Sequence, residues 1–161
     1  MTTASRRILV VDDDPASCDL VAYYLKSLGY NVAIAADGDR ALNMDLEDDI
    51  ELVILDVHMP PHDGPEVLTM LRQRRPQRPV KVIAVTGDES DDTRMTMDRL
   101  GADGFLTKPV DLSSLRAHVT RLLPGQAQGE GVLHRRIRER GVERQLEEPR
   151  INPRAGLRGG W

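Results

Sequence analysis

Along residues 1–123, apolar positions recur in two alternating rhythms. Short runs at 8–11 (ILVV), 32–35 (VAIA), 52–55 (LVIL), 80–85 (VKVIAV) and 104–106 (GFL) have strand length. The first, third and fourth also carry the β-branched enrichment of buried strands. Between the runs, apolar residues fall three or four apart: Cys18, Val21, Leu25 and Leu28 in the first interval, Val67 and Leu71 in the third, and Leu112, Leu115, Val119 and Leu122 after the last run. This spacing gathers them on one face of a helix, where each stripe would cover a sheet. Helix starts are predicted at Asp14-Pro15, Asp63-Gly64-Pro65 and Asp111, and the glycines of SLGY and RLGA supply stops. Five such βα units with short connections predict an α/β fold, a parallel sheet with helices on both faces.

Composition narrows the picture. A chain of 161 residues with 40% hydrophobic content buries one core, so a single domain over residues 1–123 is expected. One cysteine excludes an internal disulfide framework. The opening MTTASRR runs into an aliphatic strand rather than a signal-peptide apolar region, and no apolar run approaches the roughly 20 residues that span a bilayer. A cytoplasmic location and no membrane partner are therefore expected. The net charge of −4 conceals an asymmetry, because residues 124–161 hold 8 basic and 5 acidic side chains behind an acidic body. That tail is rich in Gly, Pro and Arg, and a flexible extension is the first expectation. Residues 132–145 have the makings of a broken, charged helix, with Leu133 and Ile137 one turn apart and Gly141 interrupting it. A partner-binding or dimer-extending role is the second expectation for the tail. Its arginines come without a helix-turn-helix, zinc or RNA-recognition pattern, so no nucleic-acid partner is expected.

In an open doubly wound sheet, ligands bind beyond the carboxyl ends of the strands. Asp12 and Asp13 end the first strand, Asp56 the third and Thr86 the fourth, while Lys108 follows the fifth. An Asp-Asp pair after a strand is by itself usually a solvated turn. Its convergence with Asp56, Thr86 and Lys108 on one rim marks a site. Three carboxylates so placed repel and raise one another's pKa unless a cation sits among them, and Mg²⁺, small and hard, suits them. His58 and His62 have metal-like spacing, but Pro60-Pro61 between them bars a helix, so an exposed loop is expected rather than a zinc site. Cys18, on the first helix's stripe, is read as packing. Met95 and Met97 are read as adaptable surface or core of the fourth helix, with partner docking as the lesser role.

ILVVDDDP, LVILDVHMPPHDG, VIAVTGD and GADGFLTKP, in this order and spacing, resemble the receiver domain of two-component response regulators. The resemblance covers about residues 5–123. It implies a flavodoxin-like (βα)5 fold with strand order 2-1-3-4-5. It also implies Asp56 as phospho-acceptor, Asp12 and Asp13 as the acidic pair, Thr86 as switch hydroxyl, Lys108 as the pocket lysine and Phe105 as switch aromatic. The Lys108-Pro109 bond resembles the family's cis peptide. On this reading Asp56 takes a phosphoryl group from a kinase phosphohistidine. Asp13 and Asp56 would hold Mg²⁺, with Asp12 acting through water and the backbone carbonyl of His58 as a further ligand. Lys108 and Thr86 would take the other phosphoryl oxygens. Movement of Thr86 would let Phe105 turn inward and reshape the face of the fourth helix, fifth strand and fifth helix.

The expected partners are a sensor histidine kinase or histidine phosphotransfer protein and a downstream protein target, with homodimerisation through that same face. The expected function is a stand-alone phospho-acceptor that signals by protein–protein contact, a signalling module rather than an enzyme. The alternative is the regulatory half of a larger transcriptional or enzymatic effector whose output lies elsewhere.

Overall fold

The structure is a computed structural model and describes residues 7–47 and 49–125. Strands and helices alternate in chain order: β1 (Arg7–Val11), α1 (Pro15–Ser27), β2 (Asn31–Ala35), α2 (Gly38–Glu47), β3 (Ile50–Asp56), α3 (Gly64–Arg74), β4 (Lys81–Thr86), α4 (Asp91–Arg99), β5 (Gly104–Thr107) and α5 (Leu112–Leu122). All pairings are parallel, and the strand order is β2-β1-β3-β4-β5. This is the architecture expected from the aliphatic runs and the strand order implied by the family resemblance.

Side chains alternate across the sheet, so one aliphatic run feeds two cores. Leu9, Val11, Val53, Leu55, Val82 and Ala84 point to one face, where they meet Leu42 of α2, Leu68 of α3 and Met97 of α4. Ile8, Val10, Leu52, Ile54, Ile83 and Val85 point to the other, against α1 and α5. The two edge strands, β2 and β5, are the least buried parts of this pattern. The predicted α1 stripe is buried at Cys18, Val21 and Leu25, while Leu28 is half-buried at the helix end. In α5, Leu115 and Val119 are buried and Leu112 and Leu122 lie half out.

The helix ends follow the expected chemistry with one exception. Asp14 caps α1 by accepting from the Ala16 and Ser17 backbone N–H groups, and Asp111 caps α5 by accepting from that of Ser114. Asp63 occupies the cap position of α3, yet its side chain accepts no cap hydrogen bond. Gly29 and Gly101 leave α1 and α4 at φ of 93° and 90°, a left-handed conformation that glycine adopts at little cost. No described helix is long and apolar enough to cross a membrane. Beyond Gly125 the tail expectations, including the segment 132–145, lie outside the described residues.

Candidate phospho-acceptor pocket

Three strands end in polar side chains at one rim. β3 runs one residue past its aliphatic stretch and finishes on Asp56, β4 likewise finishes on Thr86, and the turn after β1 carries Asp12 and Asp13. The backbone continues the sheet just far enough to seat them. Asp12 N–H donates to the Ala35 carbonyl at 3.2 Å, Val57 N–H to Val85 at 2.9 Å, and Lys108 N–H to Thr86 at 2.8 Å. Asp12 and Asp56 are buried, Thr86 fully so, and Asp13 is exposed. Carboxylate oxygens of Asp12, Asp13 and Asp56 lie within 4.8 Å of one another. Lys108 Nζ reaches Asp12 Oδ2 at 2.9 Å and Asp56 Oδ2 at 3.2 Å. The Lys108-Pro109 bond is cis.

Both carboxylates that Lys108 reaches have a second anchor. Asp12 Oδ1 accepts from the Asp14 N–H at 2.9 Å, and Asp56 Oδ1 from the His58 N–H at 3.3 Å. Even so, burial first and the neighbouring Asp12 second hold the Asp56 carboxyl above its ordinary pKa, outweighing Lys108. For Lys108 burial opposes the charge, but the hydrogen bond to Asp12 and the two carboxylates together raise its pKa. One ammonium thus faces three carboxylates. The remaining negative charge suits a small divalent cation with hard oxygen ligands, so the donor set fits Mg²⁺.

The other expected residues lie around this pocket. His58 presents its backbone N–H to Asp56 while its side chain is exposed. His62 is held elsewhere, between Glu66 at 3.0 Å and Asp39 at 3.5 Å. Thr86 Oγ1 accepts from the Asp88 N–H at 3.0 Å, so the hydroxyl is engaged with the β4–α4 connection. Phe105 pairs in register with Ala84, and both pack with the α2–α4 core. Thr86, two residues beyond Ala84, therefore shares a sheet face with Phe105. The Phe105 ring is half-buried beneath Arg94, whose guanidinium carbon lies 5.5 Å from the ring centroid. Met97 is buried and Met95 is 56% exposed, so α4 uses one methionine as core and shows the other.

Several contributors were not legible in the sequence. Cys18 is indeed packed, but its Sγ also donates to the Asp12 carbonyl at 3.3 Å; burial and the nearby Asp12 push its thiol up to about 11. Gly64 lies so close to the loop that a Cβ would come within 2.7 Å of Val57 Cα and 2.9 Å of the Asp56 carbonyl oxygen. Asp103 accepts from the Val82 N–H at 2.8 Å and pairs with Arg72 at 3.3 Å, locking the α4–β5 turn to β4. Beyond the packing expected for Cys18, only the Asp63-Gly64-Pro65 punctuation hinted at any of these. A larger cavity, about 370 Å³, opens among Arg7, Glu51, Arg75 and Lys81 at the opposite, amino ends of the strands. Size alone does not mark this site.

The response regulator receiver domain family model matches residues 8–120. The transcriptional regulatory protein CpxR of Escherichia coli is 40% identical over 117 residues, covering 73% of this chain and 49% of CpxR. The alkaline phosphatase synthesis transcriptional regulatory protein PhoP of Bacillus subtilis is 35% identical over 119 residues, covering 74% of this chain and 49% of PhoP. The chain thus spans about half the length of these curated relatives. Among solved structures, the Vibrio cholerae chemotaxis protein CheY4 superposes with a TM-score of 0.70 at 29% identity, covering 74% of this chain and 100% of CheY4.

Proposed function

The chain belongs to the response regulator receiver domain family, and on that footing we propose that it is a phosphorylation switch whose acceptor is Asp56. A sensor histidine kinase or histidine phosphotransfer protein supplies the phosphoryl group. An Asp56 carboxylate oxygen attacks the phosphorus of a phosphohistidine, the P–N bond breaks, its electron pair returns to the imidazole, and an acyl phosphate forms on Asp56. The observation that carries this reading is the shared lysine: Lys108 reaches both Asp12 and Asp56 within the cluster that Asp13 completes, and of these acids Asp56, at the end of β3, stands where the family's motif has its acceptor.

Asp12, Asp13 and Asp56 would hold Mg²⁺, with the His58 carbonyl as a further oxygen ligand. When bound, the ion supplies charge neutralisation to the phosphoryl oxygens. The chain's own residues do the rest. Lys108 is placed to take a phosphoryl oxygen, and Thr86 has a hydroxyl proton to donate to another. Asp56 needs no general base, because its attacking oxygen carries no proton when ionised. The result is read through Thr86 and Phe105, which share a sheet face, and the surface they can reshape includes α4, β5 and α5. A downstream protein, or a second copy of the chain, would dock there, where Met95 is exposed.

As a self-sufficient module the protein would act by protein–protein contact, supported by its match along the whole of CheY4. The second reading is the regulatory half of a transcriptional effector, favoured by relatives named as transcriptional regulators and about twice as long as the matched region. Acetyl phosphate with Mg²⁺ should label Asp56 alone by mass spectrometry, and Asp56→Asn should not label. Stoichiometric labelling of Asp56→Asn would sink the assignment. Phosphorylation-dependent binding to specific DNA in a gel shift would select the second reading.

A further inference from the structure

We infer that Asp88 couples the Thr86 hydroxyl to the first turn of α4, acting as the positioning residue through which an event in the aspartate pocket reaches that helix. The inference rests on the phospho-acceptor reading above and adds to it a route for the signal.

Asp88 is held at both ends. Its backbone N–H donates to Thr86 Oγ1 at 3.0 Å. Its carboxylate collects the α4 cap: Oδ1 accepts from the Ser90 N–H at 2.9 Å, and Oδ2 accepts from Ser90 Oγ at 2.8 Å and Thr93 Oγ1 at 2.6 Å. Ser90 is itself the N-cap of α4, its Oγ accepting from the Thr93 N–H at 3.4 Å. These hydrogen bonds, that from Thr93 foremost, bring the Asp88 carboxyl down to about 2, so it remains ionised and its bonds remain charge-assisted.

Thr86 is fully buried at the start of this chain of contacts. When the Thr86 side chain swings to carry its hydroxyl to a phosphoryl oxygen, Oγ1 moves away from the Asp88 N–H, which loses its acceptor. An unpaired amide is costly, so the connection must shift to find another partner. Gly87, exposed and with open space where a Cβ would stand, lets the backbone give at this point. The carboxylate then carries the shift to Ser90 and Thr93. Arg94, the next residue on α4, covers Phe105. The same turn therefore holds both the cap that Asp88 grips and the cation that covers the aromatic ring.

The test uses the full chain, acetyl phosphate with Mg²⁺, and hydrogen exchange of the α4 first-turn amides, with Asp56 labelling quantified in the same samples. In the unsubstituted protein, labelling should speed exchange of that turn about five-fold, the effect of one lost cap interaction. Asp88→Ala and Thr93→Val should label Asp56 equally but respond by less than about two-fold. Thr93→Ser, which restores the hydroxyl, should recover the full response. This rescue separates coupling from a merely structural loss, and the Thr93 pair decides if Asp88→Ala does not fold. A full response in Thr93→Val at equal labelling overturns the coupling alone. An unlabelled Asp56 in the unsubstituted protein overturns both the coupling and the phospho-acceptor reading.

Discussion

Replacing Asp56 by Asn should stabilise the metal-free protein at neutral pH, although it removes an ion pair. The pocket's own distances set the balance. At an effective dielectric constant of about 20, the Asp56–Lys108 attraction at 3.2 Å is worth about 5 kcal/mol. The Asp56–Asp12 repulsion at no more than 4.8 Å amounts to about 3.5 kcal/mol or more on the same scale. Asp13 adds repulsion weakened by its exposure to water. The pair terms nearly cancel, and Lys108 keeps its contact with Asp12 in the variant. What remains is the cost of burying the carboxylate, several kcal/mol for an ion and far less for an amide. After relaxation and loss of one hydrogen-bond acceptor, a net gain of about 1–2 kcal/mol is expected. For a domain of this size that raises Tm by about 3–8 °C.

The pH dependence of that difference follows from the raised Asp56 pKa. The folded state binds the proton more tightly than the unfolded chain, so the wild-type penalty is complete above the folded pKa and disappears below the unfolded value of about 3.9. Urea or thermal denaturation in chelator should show the variant's advantage at about pH 7.5 and its disappearance towards about pH 4. Adding Mg²⁺ should stabilise the wild type more than the variant. A variant less stable than wild type at neutral pH without metal, or a difference unchanged between the two pH values, would refute the reasoning.

Gly64→Ala should destabilise by about 1–3 kcal/mol, because its Cβ meets Val57 and Asp56 backbone atoms that have little room to yield; an unchanged urea midpoint would contradict this. Asp103→Ala leaves the buried Val82 N–H without its acceptor and should cost about 1–3 kcal/mol, with Asp103→Asn milder; equal losses in the two variants would count against it. His62 has its pKa raised by its hydrogen bond to Glu66 and by the charges of Glu66, Asp39 and Asp37. The stabilisation from His62 should therefore be complete below the unfolded pKa of about 6.5 and lost as pH rises through the higher folded value. His62→Gln should accordingly be the less stable protein at acid pH and match wild type at alkaline pH, by thermal melts across that range.

The sequence by itself determined the layered architecture, because a parallel strand buried on both faces must be aliphatic throughout and a covering helix must be apolar every third or fourth residue. Runs such as 52–55 and the stripe of Cys18, Val21 and Leu25 record that burial directly. The pocket was legible for a related reason: charged residues at the carboxyl ends of buried strands stand out against the aliphatic pattern. Asp12, Asp13, Asp56 and Lys108 do meet at one rim. Only the tertiary structure decided how these charges are held. The Asp56 carboxyl is raised because burial and Asp12 together exceed Lys108, a balance of distances that no residue spacing contains. Asp88 and Asp103 carry no periodic signal in the sequence, and Gly64 reads there only as part of a helix start. Their roles come from partners that only folding places beside them: the Thr86 hydroxyl, the Val82 N–H, and the backbone of Asp56 and Val57. Polar loop residues carry no periodic signature, because hydrogen bonds are satisfied one pair at a time, whereas hydrophobic burial is shared along a whole face.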